Sequence, residues 1–99
     1  MDTKPHILIV DDDNRILKLL KKFLAQNNFL VSTSASAKEA SELLSNFVYD
    51  LIILDVMMPE ITGIDFAQRI RSNGMIMPVV MLTALSEPED KIKQSSNLN

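Results

Sequence analysis

Residues 50–63 read DLIILDVMMPEITG, and this stretch decides the fold. Leu51, Ile52, Ile53 and Leu54 form a short continuous apolar run. A strand that is apolar on both faces belongs at the centre of a sheet covered on both sides. The run then ends on a carboxylate, Asp55. An ionised group against an apolar strand costs free energy unless something compensates it. Asp55 is therefore either a strand-end residue held by loop amides or the residue around which a site is built.

Outward from this strand the chain alternates. HILIV (6–10) is a second apolar run, ending in Asp11-Asp12-Asp13. Residues 14–27 change period, with Ile16, Leu17, Leu19, Leu20, Phe23 and Leu24 on one broad helical face and Lys18, Lys21 and Lys22 away from it. Asp13 or Asn14 is the expected N-cap. FLVST (29–33) is a further strand. Ser36-Ala-Lys-Glu39 is a capping box opening a helix with Ala37, Ala40, Leu43, Leu44 and Phe47 inward. Gly63 precedes a helix with Ile64, Ala67 and Ile70 inward and Phe66 as a further candidate, ending at Asn73-Gly74. PVVML (78–82) is a fourth strand. A second capping box, Ser86-Glu-Pro-Glu89, opens a helix from about Glu87 whose one clear anchor is Ile92. Strict alternation of strands and helices with continuous apolar strands predicts an α/β fold, a doubly wound parallel sheet.

Composition excludes several functions. The 99 residues suffice for one small domain. There is no cysteine, which rules out disulfides and thiolate chemistry, and the apolar runs are too short for a membrane span. A net charge of −3 argues against direct nucleic-acid binding, and the N-terminus does not read as a signal peptide, so a cytoplasmic location is expected. Only two glycines are present, so neither GxGxxG nor GxxxxGK[ST] can form.

The acids gather where α/β sheets place function, at the carboxyl ends of strands. Asp11 and Asp12 follow the first strand, Asp55 directly follows the third, and Thr83 follows the fourth. If the first and third strands are neighbours, three carboxylates share one pocket. Like charges about 4 Å apart repel by roughly 4 kcal/mol at an effective dielectric of 20. Such a cluster keeps a proton or holds a cation. All-oxygen ligands favour a hard ion, and Mg²⁺ suits a site that retains waters. A Mg²⁺-bound carboxylate can also attack phosphorus to give an acyl phosphate, with the Thr83 hydroxyl placed to bond a phosphoryl oxygen.

Three stretches, ILIVDDD (7–13), DLIILDVMMPEITG (50–63) and PVVMLTA (78–84), together resemble the receiver domain of two-component response regulators. The similarity covers about residues 5–93, and its most specific element is the spacing of Asp55, Met58, Pro59 and Gly63. The continuation LTALSEPEDKIK resembles the subgroup that carries a winged-helix DNA-binding output domain. The resemblance implies a flavodoxin-like sheet in the order 2-1-3-4-5. It makes Asp55 the phosphoacceptor and gives Mg²⁺ to Asp12, Asp55 and the backbone carbonyl of Met57, with Asp11 reaching the ion directly or through water. It makes Thr83 the switch hydroxyl and a sensor histidine kinase the donor. It implies no enzyme class, since transfer to Asp55 is a single turnover on the protein itself.

The family's fifth strand, with its Lys-Pro pair, and its fifth helix have no counterpart, a deficit of about 20 residues. The expectation is an incomplete single receiver domain over 1–99, order 2-1-3-4, without an output domain. An open edge on the fourth strand would leave it monomeric and marginal, or edge-paired with another chain. Two other readings remain. One is a binding-only or non-functional remnant lacking the switch lysine. The other is a Mg²⁺-dependent phosphatase with an Asp11-x-Asp13 nucleophile, opposed by Arg15 where Thr or Val is expected. His6 is read as structural, Asp50 and Asp65 as solvated surface acids, and Met57, Met58, Met75, Met77 and Met81 as loop and core packing.

Overall fold

A computed structural model of the chain describes residues 3–82. The elements run β1 (His6–Val10), α1 (Asn14–Gln26), β2 (Leu30–Ser34), α2 (Ala37–Asn46), β3 (Leu51–Asp55), α3 (Gly63–Ser72) and β4 (Val79–Leu82). The four strands form one sheet in the order β2-β1-β3-β4. All pairings are parallel, with Ile9 beside Thr33 and Ile53, and Ile53 beside Val80. The expected order 2-1-3-4 is the observed one. Thr83 and the expected helix from about Glu87 lie outside the described residues, as does the expected deficit beyond β4.

Strand alternation builds two layers of core. Leu8 and Val10 of β1 and Ile52 and Leu54 of β3 face Ala37, Ala40 and Leu44 of α2 and Phe66 and Ile70 of α3. Their neighbours Ile7 and Ile9 face the other way, onto Leu17, Leu20 and Leu24 of α1. Because every second side chain points to the opposite face, a strand filled with large apolar residues at each position serves both layers. The chain leaves β1 for β2 on one side and returns to β3 on the other. The carboxyl ends of β1 and β3 therefore flank the topological switch point.

The helix starts reflect their local chemistry. Asp13 caps α1 by accepting the Arg15 amide, Ser36 caps α2 by accepting the Glu39 amide, and Thr62 caps α3 by accepting the Asp65 amide. At the end of α1, Asn28 adopts φ 69°, a left-handed conformation that Asn tolerates, and Gly74 does the same after α3 at φ 84°. β2 runs one residue later than expected, with Phe29 packed beneath the α1 layer.

Four side chains placed inward by periodicity are exposed instead. Leu19 and Phe23 are 64% and 59% exposed. The inward stripe of α1 is Leu17, Leu20 and Leu24, and a helix touching a sheet along one line cannot bury the flank beyond it. Phe47 is the C-cap of α2 with extended backbone, so it has left the helical period; its ring lies edge-on to His6 at 6.5 Å. Ile64 stands in the first turn of α3, roughly 200° around the helix from buried Phe66.

Asp50 also departs from a simple surface acid. Its carboxylate accepts the His6 amide at 2.8 Å, and the His6 ring nitrogen Nε2 is 2.8 Å from the Ser32 hydroxyl. His6 sits at the amino end of β1, remote from the acids at its carboxyl end, in agreement with a structural role.

Candidate functional site

Val10, the last residue of β1, is the register partner of Leu54, so the residues that follow them, Asp11 and the final β3 residue Asp55, emerge side by side. Carboxylate oxygens of Asp11, Asp12 and Asp55 lie within 4.8 Å of one another. Asp11 and Asp55 are almost fully buried, at 6% and 2% exposure, whereas Asp12 is open to solvent. The pocket thus has two walls of buried carboxylate and one acid at its mouth.

Local hydrogen bonds hold the two buried acids in place. Asp11 Oδ1 accepts the Asp13 amide at 2.9 Å, and Asp13 in turn accepts the Arg15 amide and guanidinium. The Arg15 charge is therefore directed at Asp13, whose carboxyl it holds below the usual range. Asp55 Oδ1 accepts the Met57 amide at 3.2 Å, which brings the Met57 peptide to the border of the pocket.

The electrostatics are those of an under-compensated anionic cluster. Burial, followed by the charges of Asp11 and Asp12, pushes the Asp55 carboxyl up to about 6 despite the Met57 amide. Burial is also the largest influence on Asp11, raising its carboxyl above the ordinary value against the Asp13 amide bond. A hard divalent cation fits this donor set. It would be met by oxygen atoms alone and would neutralise charge that desolvation disfavours.

The segment between Asp55 and α3 is shaped to the site. The Gly63 amide donates to the Val56 carbonyl at 2.7 Å, closing residues 56–63 into a ring. A Cβ on Gly63 would overlap the Asp55 carbonyl oxygen and stand 2.9 Å from Val56 Cα, so only glycine admits this approach. Met58 drives into the core below the loop, whereas Met57 is exposed at the rim. Glu60 reaches across to α2, where its Oε1 accepts the Ala37 amide at 3.1 Å. The β2–α2 turn is tied to β1 as well. The Asp11 amide donates to the Ser34 carbonyl, and the buried Ser34 hydroxyl donates to the Ser36 carbonyl at 2.6 Å.

Asp11, Asp12, Asp55 and the Met57 peptide are thus brought together. β4 ends at Leu82, the register partner of Asp55, and Thr83 lies outside the described residues. The sequence does not single out Glu60 or Ser34. Their partners in other segments are invisible to local spacing, and only the glycine at position 63 signals that the loop folds back on the strand.

A doubly wound sheet with this acid cluster at its switch point defines a class, and comparison with known proteins names it: the chain belongs to the response regulator receiver domain family, whose model matches residues 7–97. Among curated proteins it is 46% identical over 89 residues to Protein PetR of Rhodobacter capsulatus, covering 90% of this chain and 37% of PetR. It is 45% identical over 87 residues to the probable transcriptional regulator ycf27 of Cyanidium caldarium, covering 88% of this chain and 34% of that protein. The chain therefore spans about a third of the length of these relatives.

Among solved structures, it matches a Francisella response regulator receiver domain with TM-score 0.78 and 32% identity, over 94% of this chain and 77% of that one. It also matches the response regulator TrrA of Thermotoga maritima, solved in complex with Mg²⁺-BeF, with TM-score 0.76 and 33% identity over 93% and 80% of the two chains. No helix among the described residues is long and apolar enough to cross a membrane.

Proposed function

We propose that this chain is the phosphoacceptor module of a two-component system, taking a phosphoryl group from a sensor histidine kinase onto Asp55. The observation that carries the reading is the convergence of Asp11, Asp12 and Asp55 within 4.8 Å at the carboxyl ends of β1 and β3. Residues 1–99 act as one receiver domain. Asp12, Asp55 and the Met57 carbonyl would hold Mg²⁺, with Asp11 reaching it directly or through a water. Bound there, the ion supplies positive charge that offsets the phosphoryl oxygens during transfer.

The protein's own part is to present a nucleophile. One Asp55 oxygen forms the new O–P bond while the donor's N–P bond breaks, and its electron pair returns to the imidazole nitrogen, which is left neutral once its proton count is restored from solvent. The Met57 amide fixes Oδ1 of Asp55 at 3.2 Å and so orients the carboxylate. Burial of Asp55 and Asp11 limits the access of water that would hydrolyse the acyl phosphate. Thr83 supplies a hydroxyl to a phosphoryl oxygen and reports the modified state to the surface.

The module is a signalling element acting in single turnovers, in the cytoplasm, and it does not itself contact nucleic acid. The likeness to ycf27, a probable transcriptional regulator, supports a link between this module and transcriptional output.

The test is incubation of the parent and Asp55→Asn with a small acyl phosphate, with and without Mg²⁺, followed by intact mass measurement. One phosphoryl adduct is expected on the parent only, only with Mg²⁺, and removable by hydroxylamine. Equal labelling of the two proteins overturns the assignment.

A further inference from the structure

We infer that Glu60 is a positioning residue for the Asp55 site: its carboxylate latches the loop bearing the Met57 peptide to the first turn of α2. The inference rests on the reading of Asp55 and Met57 as phosphoacceptor and ion ligand, and adds a residue to it.

Beside the Met57–Asp55 hydrogen bond and the packing of Ile61 on the core, the loop has three attachments. The Gly63–Val56 hydrogen bond closes its base, and Met58 anchors its middle in the core. The third is Glu60 Oε1, which accepts the Ala37 amide at 3.1 Å across a sequence separation of 23. Among the described residues this is the one hydrogen bond joining the loop to α2. Met57 itself lies between the two anchored residues, with its amide held by Asp55 Oδ1. Beyond Met58 the arm of residues 59–61 has no other hydrogen bond among the described residues, and Glu60 provides its lateral restraint.

The partner it latches to is itself fixed. Ala37 is the first residue of α2, capped by Ser36, and the Ser36 carbonyl is held by the buried Ser34 hydroxyl. The Ser34 carbonyl accepts the Asp11 amide at 3.1 Å. A hydrogen-bonded circuit therefore runs from Asp11 through Ser34, Ser36, Ala37 and Glu60 to Met57 and Asp55. Glu60 accepts one of the amides that a helix start leaves without an intrahelical partner, and a carboxylate is the favoured acceptor there. When the bond forms, the Met57 peptide keeps its amide toward Asp55 and its carbonyl free for the ion.

Variants at Glu60 separate orientation from bulk stability. Glu60→Ala is expected to raise the Mg²⁺ dissociation constant about three- to tenfold, the effect of one hydrogen bond on an oriented group. It also speeds amide hydrogen exchange at Met57 in the metal-free protein. Glu60→Gln keeps an acceptor and should stay within about twofold of the parent in both readouts. Ala37→Pro removes the donor at a helix position where proline is tolerated, and combined with Glu60→Ala it should add nothing to the single variants.

Equal Mg²⁺ affinity and equal Met57 exchange in Glu60→Ala and the parent would overturn the inference. Failure of Glu60→Gln to restore both would overturn it too, by assigning the effect to charge. Full additivity with Ala37→Pro would show two independent contacts and reject the latch. If the parent binds no Mg²⁺, the functional reading fails, and Met57 exchange alone then decides for or against the latch.

Discussion

Gly63 lies against the backbone of Asp55 so closely that a single added carbon would overlap the Asp55 carbonyl oxygen. The neighbouring atoms are main chain at the end of the central strand, which cannot rotate away as a side chain can. Gly63→Ala should therefore lose about 1–3 kcal/mol of stability through overpacking. It should also weaken cation binding, because relief of the overlap moves the strand end that carries the site. Denaturant unfolding and Mg²⁺ titration check the two effects, and an unchanged midpoint would contradict the close approach.

Asp55 makes the metal-free fold less stable at neutral pH. Its carboxyl is pushed up to about 6, from an ordinary value of 3.8, chiefly by burial. Protonation thus favours the folded state. The contribution is fully present below 3.8 and is lost as pH rises through 6. Asp55→Asn removes the ionisation and should be more stable than the parent at pH 7 by about 1–2 kcal/mol, allowing for solvent screening at the pocket mouth. The advantage should vanish on acidification to below about pH 4, where both folded and unfolded carboxyls hold a proton. Thermal unfolding across that range without divalent ions tests the sign.

The same proton competes with the cation. Below about pH 6 a bound ion must displace the Asp55 proton, so the Mg²⁺ dissociation constant should rise roughly tenfold per pH unit there and level off above it. Asp11, whose carboxyl is also raised, steepens the dependence at lower pH. Calorimetric titration from about pH 5 to about pH 8 gives the profile, and a flat one would remove Asp55 from the ligand set.

Two phenylalanines that share an inward sequence pattern should respond differently. Phe66 is 1% exposed between α3 and the sheet, and Phe66→Ala should cost about 3–5 kcal/mol, enough to unfold a marginal domain. Phe47 is 54% exposed beyond the end of α2, and Phe47→Ala should cost under about 1 kcal/mol. Parallel unfolding curves settle the contrast. Similar losses would return Phe47 to the core.

The alternation of strands and helices, the two-faced strands and the caps at Asp13 and Ser36 can all be read from residue order, because each depends on neighbours within a turn or a strand. The acids at strand ends are legible for the same reason. Which strands adjoin is not a local matter. The placement of β1 beside β3 decides whether Asp11 and Asp55 meet, and family resemblance supplies that order where spacing alone does not. Periodicity also overstates the core, putting Leu19, Phe23, Phe47 and Ile64 inward. A repeat along one helix records what it could bury, whereas the line of contact with the sheet records what it does bury. Only the tertiary structure sets the Gly63–Asp55 approach, the raised Asp55 carboxyl and the reach of Glu60 to Ala37. The spacing of Asp55 and Gly63 signals the first, but its contact distance, like the burial of Asp55 and the Glu60–Ala37 bond, arises only when the folded chain brings separate backbone within hydrogen-bonding or van der Waals range.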